Sequence, residues 1–327
     1  MSVHRSRNLL VEAAKLYYLG GLTQEAVARR LGMTRSNVSR VLQAAKDSGV
    51  VEIRVSAGAE RDHQLEIALG AVLQPTEVAI PVRERESSPR TLVAKVGAEV
   101  LVERIAQASL LAASWGTTLQ AVVEAFPHLA RSELEVVQMV GGLTFLDTWA
   151  TAHDLVRELS RRLGARFRYL NTPAVLDSAE TLRHLMEEET VRDTLELASR
   201  ADVALVGIGS PLAGSSAAVL QLLKLSPAEA EQFWAEGPVG EVCGRYFNQK
   251  GQQVKFKAIH DRVLTIEFED ICSIPTVIGV AHGIEKAAAV LGASRAGLVD
   301  VLVCDAALAR AILHLDASDA GSAGETA

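Results

Sequence analysis

The sequence is poor in cysteine and has no long apolar run, and these absences argue against several classes of protein. Its 327 residues include three cysteines, Cys243, Cys272 and Cys304. They are widely separated in apolar segments, which predicts reduced, buried thiols instead of disulfides or a metal cluster. No segment approaches the roughly 20 apolar residues of a membrane span, and residues 1–8 lack the apolar stretch of a signal peptide. We therefore expect a cytoplasmic protein without a metal site.

Two nucleotide-binding motifs are also missing. Gly207 and Gly209 follow an apolar run, but no third glycine completes a dinucleotide-binding fingerprint. A Gly-Lys-Ser/Thr phosphate loop occurs nowhere in the sequence. Nicotinamide binding and ATP hydrolysis therefore find no support, and we expect no cofactor.

Charge is divided unevenly along the chain. Residues 1–56 contain nine Lys or Arg and four Asp or Glu, a net charge of +5. The whole chain contains 33 basic and 40 acidic residues, so 24 basic and 36 acidic residues remain after residue 56, a net charge of −12. Attraction to the phosphates of a nucleic acid should thus be confined to the N-terminal segment.

Residues 23–42 (TQEAVARRLGMTRSNVSRVL) have the spacing of a helix-turn-helix. Thr23 and Thr34 are suitable N-caps for its two helices, and Gly32 permits the left-handed turn between them. Ala28 is small enough for close packing of one helix on the other. The other positions predicted to be buried are Val27, Leu31, Met33, Val38 and Val41.

The second helix of this motif presents a polar face suited to DNA. Arginine and asparagine side chains can each form two hydrogen bonds to the edge of one base, and serine and threonine can reach phosphates. A helical hairpin with a solvated polar face is the alternative interpretation. The predicted contacts to double-stranded operator DNA are Thr34, Arg35, Ser36, Asn37, Ser39 and Arg40.

Segments on both sides extend this unit. Residues 7–19 predict a preceding helix, because apolar residues recur at helical spacing, and Gly20 and Gly21 should end it. Residues 50–55 (VVEIRV) alternate as a short strand does and could form part of a wing. We therefore expect a winged-type helix-turn-helix domain over residues 1–56.

The remainder predicts a large Rossmann-like α/β domain over residues 57–315, followed by a flexible tail over residues 316–327. Amphipathic helices alternate there with short apolar runs that end in small or polar residues, as in a mostly parallel sheet. Ligands of such sheets bind at the carboxyl ends of the strands. The predicted strands lie in residues 78–82, 109–114, 134–142, 202–209, 276–283 and 298–305.

Three strand-end segments are candidates for a ligand site. Gly116, Thr117 and Thr118 open a helix whose free amides could hold a phosphate, although a simple strand-to-helix turn has the same composition. A loop at residues 237–242 (GPVGEV) carries the carboxylate of Glu241, but such turns are common.

Lys286 lies near a third helix start, where its ammonium could meet an anion or remain solvated. His282, Glu241, Asp305 and Lys286 could also form an acid/base set that enolises a sugar phosphate, if they converge.

The sequence resembles the SorC-type transcriptional regulators over nearly its whole length. In the N-terminal part the resemblance is carried by AAKLYY, the helix-turn-helix segment and AAKDSGVVEIRV. In the large domain it is carried by SWGTT, VGGL, ADVALVGIG, GPVGEV, IPTVIGVAHGIEKAAAV and LVCDAALARAIL.

The resemblance implies a regulator whose large domain is related in fold to sugar-phosphate isomerases and is used for sensing, not for turnover. It implies a sugar or sugar-phosphate effector and a homo-oligomer, commonly a tetramer. The effector positions that it implies are Gly116, Thr117 and Thr118 in a phosphate-side loop, Glu241, the phosphate contact Lys286, and Asp305 on the pocket floor. His282 stands where the family commonly has glycine. The alternative is an isomerase-like enzyme with an attached DNA-binding module.

Replacing Arg40 with alanine should weaken DNA binding. If Arg40 bonds a guanine, the loss should be about 1–3 kcal/mol and concentrated at one base position, whereas a phosphate contact would give a uniform loss across sequences. Binding titrations at several salt concentrations measure both. Unchanged affinity and salt dependence would remove Arg40 from the interface.

Overall fold

The protein forms two units, Met1–Ala57 and Gly58–Ala327, in a computed structural model. The structure describes residues 2–51, 58–73, 76–84, 86–143 and 152–324. None of the helices in these ranges combines the length and the apolar character that crossing a membrane requires.

The small unit is helical. Helix α1, Ser2–Ala14, continues as a π-helical turn, Lys15–Leu19, so the helix predicted over residues 7–19 begins earlier than expected and ends as expected at Gly20. Helices α2, Gln24–Leu31, and α3, Arg35–Asp47, follow. Their buried core consists of Ala13, Val27, Ala28, Val38 and Leu42.

Local chemistry fixes the turn between α2 and α3. The hydroxyl of Thr23 accepts a hydrogen bond from the amide of Ala26, and that of Thr34 accepts one from the amide of Asn37, each at 3.2 Å. Gly32 ends α2 at φ 61°, a left-handed conformation that favours glycine. The predicted helix-turn-helix is confirmed. The strand of the expected wing falls mostly on residues 52–57, outside the described residues.

A seven-stranded parallel sheet forms the centre of the large unit. The strand order is β1-β9-β8-β5-β2-β3-β4, so the chain reverses its direction of travel across the sheet between β2 and β5. Ligands of open α/β sheets bind at such switch points. The strands are β1 Glu77–Ala79, β2 Leu110–Ala113, β3 Glu135–Gln138, β4 Arg166–Arg168, β5 Val203–Gly207, β8 Thr276–Ala281 and β9 Val301–Cys304.

Helices cover both faces of this sheet. Successive side chains of a strand point to opposite faces, and in β2 Leu110 and Ala112 enter one core while Leu111 and Ala113 enter the other. The predicted parallel α/β fold is thereby confirmed. The helices are α4 His63–Val72, α5 Pro89–Arg104, α6 Thr117–Ala125, α7 Ala152–Leu163, α8 Ala179–Glu187, α9 Glu189–Ser199, α10 Gly214–Leu222, α11 Pro227–Ala235, α12 Lys257–His260, α13 Phe268–Ser273, α14 Ala287–Arg295 and α15 Ala306–Gly324.

The segment predicted as a flexible loop at residues 237–242 is a strand. Strand β6, Pro238–Val242, pairs antiparallel with β7, Arg245–Asn248, across a two-residue turn at Cys243 and Gly244. Its glycines suggested flexibility, but Gly240 packs so closely on the ring of Phe247 that a Cβ would lie 2.6 Å from it. This contact, not chain flexibility, explains the glycine at position 240.

Two other expectations differ from the structure. Cys243 and Cys304 are buried as predicted, but Cys272 is exposed, because in the short helix α13 its neighbours Phe268 and Ile271 take the core-facing positions.

Helix α15 continues to Gly324, so residues 316–324 are helical where a tail was expected. Alanines at every third position favour that helix, and Arg295 bonds Asp316 at 3.1 Å.

Substitutions on α4 should separate core packing from exposure. Leu69 is fully buried, so Leu69→Ala should lower the free energy of unfolding of the large unit by about 2–5 kcal/mol. Ile67 on the same helix is 75% exposed, and Ile67→Ala should change it by less than about 0.5 kcal/mol. Urea unfolding followed by tryptophan fluorescence reports this unit, since all three tryptophans lie after residue 58. If both changes lowered the free energy of unfolding equally, Leu69 would not be packed in the core.

Candidate functional site

A cavity of about 220 Å³ lies at the carboxyl ends of the three adjacent strands β2, β5 and β8. This is the switch point of the sheet, where the predicted strand-end segments meet. The cavity is lined by residues 114–119, 207–209 and 213–216, by Glu241 and Cys243, and by His282, Glu285 and Lys286.

Three helices begin at this cavity without a side-chain cap. Helix α6 starts after Gly116 and α10 after Ala213, while α14 continues from a 3₁₀ turn, Ile284–Lys286, that itself starts without a side-chain cap after Gly283. The first amides of a helix have no partner within it, and the helix dipole gives them partial positive charge. Elsewhere the starts of α2, α3, α5, α8 and α11 are capped by threonine or serine hydroxyls, whereas those of α9, α12 and α13 also lack a side-chain cap. The cavity therefore offers amide donors suited to an anion.

Lys286 adds a positive charge to these amides. Burial lowers the pKa of its ammonium, while the carboxylates of Glu241 and Glu285 act in the opposite direction. A cation partly removed from water in this way gains most from an anionic ligand, because the ligand restores the interactions that burial has removed. Lys286 thus lines the cavity from the end of the turn that precedes α14, and its contact with an anion stays a prediction.

Glu241 is 5% exposed and reaches the cavity from β6. One of its carboxylate oxygens accepts from the hydroxyl of Ser216 at 2.5 Å, and the other accepts from the amide of Gly244 at 2.7 Å. Burial raises the pKa of this carboxyl group, and the two hydrogen bonds and Lys286 oppose that rise. Since each carboxylate oxygen can accept two hydrogen bonds, Glu241 can still accept from a ligand hydroxyl.

Gly209 makes this position of Glu241 sterically accessible. The two residues exchange main-chain hydrogen bonds of 2.9 and 3.0 Å. A Cβ at Gly209 would lie 1.8 Å from the hydroxyl oxygen of Ser216 and 2.1 Å from a carboxylate oxygen of Glu241. A glycine is therefore required there for steric reasons, although its backbone has no unusual conformation.

Asp305 does not line the cavity. Its carboxylate accepts from the amide of Gly283 at 2.8 Å and from the amides of Ala307 and Leu308 at 2.9 and 3.0 Å. It therefore caps α15 and fixes the turn that leads to Lys286, instead of forming the pocket floor. The other five predicted effector positions, Gly116, Thr117, Thr118, Glu241 and Lys286, all line the cavity.

Two contributors were missed from the sequence. The start of α10, residues 213–216, brings Ser216 to Glu241, and its only sequence signal is the Gly-Ser-Ser that follows a predicted strand. Arg90 of α5 donates to the carbonyl of Thr117 at 2.6 Å and so supports the start of α6. Arg90 lies in a segment without a recognisable motif.

The recognition helix is part of the other unit. All six predicted DNA contacts are exposed, while Val38 and Leu42 on the opposite side are buried. The guanidinium of Arg40 donates to the amide oxygen of Asn37 at 3.0 Å, which aligns two side chains able to contact bases. Their contacts to DNA stay a prediction.

Comparisons with known proteins agree with this architecture. The Sugar-bind family of sugar-binding domains matches residues 54–314, and the MarR family matches residues 16–62. The deoxyribonucleoside regulator of Bacillus subtilis is 29% identical over 315 residues, 94% of this chain and 98% of that protein. The erythritol catabolism regulatory protein EryD of Brucella abortus is 26% identical over 310 residues, 94% of this chain and 96% of that protein.

A solved structure aligns across both units. The full-length sorbitol operon regulator SorC from Klebsiella pneumoniae has a TM-score of 0.71 and 26% identity, and covers 94% of this chain and 99% of that one. The chain belongs to the SorC-type family of sugar-binding transcriptional regulators. As a SorC-type regulator it joins a DNA-binding helix-turn-helix to a sugar-binding domain.

Two glycines of β5 and its following loop provide a test of the cavity in this SorC-type regulator. Gly209→Ala should displace Ser216 and Glu241 and lower the free energy of unfolding by about 1–3 kcal/mol, because the new methyl group overlaps both side chains. Gly207→Ala is the matched control, since its Cβ would meet nothing nearer than 3.6 Å. Thermal unfolding of both variants measures the difference. Equal stability would show that the close approach at Gly209 is not required.

Proposed function

We propose that the cavity binds a phosphorylated sugar and that its binding changes the affinity of the protein for operator DNA. The observation that carries this proposal is the convergence of three uncapped helix starts and Lys286 on one cavity. A phosphate bonded by amides at helix starts and by an ammonium is favoured by both hydrogen bonding and charge.

Beside the start of α10, the cavity also suits the hydroxyl groups of a sugar. Glu241 and Ser216 lie there with free acceptor capacity, because Ser216 uses its proton on Glu241 and keeps its lone pairs. A hydroxyl-rich ligand with one anionic group could use both these acceptors and the amide donors. The relatives are named for deoxyribonucleosides, erythritol and sorbitol, which supports a hydroxyl-rich effector.

On the DNA side, α3 would enter the major groove with residues 34–40 against the bases and phosphates. Two subunits related by a two-fold axis would contact two half-sites, and a tetramer would contain two such pairs. Effector and operator then act on one equilibrium, so each must change the affinity for the other by the same factor.

Sensing is favoured over turnover by the place of Asp305. An enolising site would need several acid/base groups around the substrate, and Asp305 instead uses its carboxylate to bond three main-chain amides. His282, Glu241 and Lys286 do meet at the cavity. Conversion of a sugar phosphate by purified protein would support the alternative of an isomerase-like enzyme.

Thermal-shift measurements against sugars, polyols and their phosphates test the proposed effector class. A phosphorylated ligand at about 100 times its Kd should stabilise the protein by roughly 2.7 kcal/mol. Lys286→Ala should raise the Kd of that ligand by about ten- to a hundredfold, as expected for the loss of one charge-assisted hydrogen bond. Lys257→Ala is the control, because the side chain of Lys257 is 89% exposed and lies outside the cavity.

Other outcomes would redirect the proposal. Stabilisation only by unphosphorylated sugars or polyols, unchanged in Lys286→Ala, would contradict the phosphate assignment. If the ligand raises the melting temperatures of Lys286→Ala and Lys257→Ala equally, it binds outside the cavity. Each variant is compared with its own ligand-free melting temperature, since Lys286 also precedes the first residue of α14.

A further inference from the structure

His282 and Thr118 form a hydrogen-bonded pair across the cavity wall. His282 follows the last residue of β8, and Thr118 is the second residue of α6. Nδ1 of the imidazole and the hydroxyl oxygen of Thr118 lie 3.0 Å apart. Both residues line the cavity, and no other described residue bonds Nε2 of His282. The pair therefore stands where the proposed anion would bind.

Counting protons shows what this pair can offer to an anion. With a neutral imidazole the pair has two mobile protons, one on the ring and one on the hydroxyl, and their mutual hydrogen bond uses one. Only one donor is then left for a ligand. If His282 is protonated, the ring donates to Thr118 through Nδ1, and both Nε2 and the threonine hydroxyl can donate to a ligand. Protonation of one residue thus doubles the donors.

Charged groups surround His282 from several elements. Lys286 and Glu285 lie on the same turn, Asp305 follows β9, and Arg90 lies on α5. Burial lowers the pKa of His282, and Lys286 and Arg90 lower it further, against the opposing effect of Asp305 and Glu285. Burial and these two cations therefore favour the neutral imidazole in the ligand-free protein by lowering its pKa.

We infer that His282 takes up a proton when the cavity binds a doubly negative group, and that it thereby selects effectors by their charge. This inference rests on the proposed function, because it places the anion in the same cavity. Two negative charges beside the imidazole favour its charged form and offset the cations that now oppose it. A neutral sugar supplies no such charge and would bind without proton uptake.

The direction of the pH dependence follows from this linkage. Binding raises the proton affinity of His282, so the bound state holds more protons than the free state in the range between the two titrations. Affinity for a dianion should then rise as the pH falls, by up to about tenfold per pH unit. Below both titrations the imidazole is charged in each state, and the dependence should level off.

Sulfate is a suitable probe, because phosphate itself gains a proton near pH 6 and would hide the effect. The experiment measures sulfate binding to the full chain by calorimetry between about pH 8 and about pH 5.5, the range in which histidine titrates. Repeating it in buffers of different ionisation enthalpy gives the number of protons taken up. Far-UV circular dichroism at each pH confirms that the protein stays folded.

Two variants identify the residue that takes up the proton when sulfate binds. His282→Gln keeps a group that can bond Thr118 but cannot titrate, so sulfate should still bind and its affinity should lose most of the pH dependence. His128→Gln is the control, because His128 is exposed and is not part of the cavity lining, and it should behave like the unmodified protein. A fall to near zero in proton uptake for His282→Gln alone supports the inference.

The remaining outcomes are distinct. Sulfate binding that does not change with pH overturns the role of His282 and leaves the proposed anion site standing. Equal pH dependence in His282→Gln also overturns it and points to Lys286 or Glu241, two cavity residues whose pKa values burial shifts toward the neutral form. Failure of sulfate and of every sugar phosphate to bind at any pH would refute the proposed function and this inference together.

Discussion

The cavity depends on one constraint of parallel sheets: the amino end of the helix that follows a strand lies beside the carboxyl end of that strand. Three neighbouring strands, β2, β5 and β8, are each followed by a helix whose start lacks a side-chain cap. Their free amides and aligned dipoles therefore point at the same volume. Lys286 adds a charge to a potential that the backbone has already made positive.

The hairpin of β6 and β7 complements this positive side. It lies outside the seven-stranded sheet and holds Glu241 against Gly209 and Ser216. A buried carboxylate beside the start of α10 gives the cavity hydrogen-bond acceptors as well as amide donors. The two kinds of group suit a ligand that carries both hydroxyl groups and an anion, and His282 lies beside α6.

The two units differ in how much of their structure local sequence explains. In the helix-turn-helix, the caps Thr23 and Thr34 and the glycine at position 32 act on atoms within three residues, so the motif was predictable from spacing alone. In the large unit the apolar runs predicted six of the seven strands of the parallel sheet, and missed β4, which has no apolar run. Composition misled at residues 237–242, because the packing of Gly240 on Phe247 is a tertiary contact that a short segment does not reveal.

The sequence by itself determined the helix-turn-helix and the parallel α/β class, since these follow from periodicity and capping. Strand-end position made five residues of the cavity candidates, and the family resemblance assigned them to an effector site. Only the tertiary structure decided which strand ends are neighbours, and therefore that Thr118 meets His282 across 164 positions of the chain. In the structure Asp305 caps α15 and does not line the cavity, whereas Ser216 lines it and Arg90 bonds the start of α6. The reason is physical: hydrogen-bond partners distant in sequence are selected by strand order and packing, which no local pattern encodes.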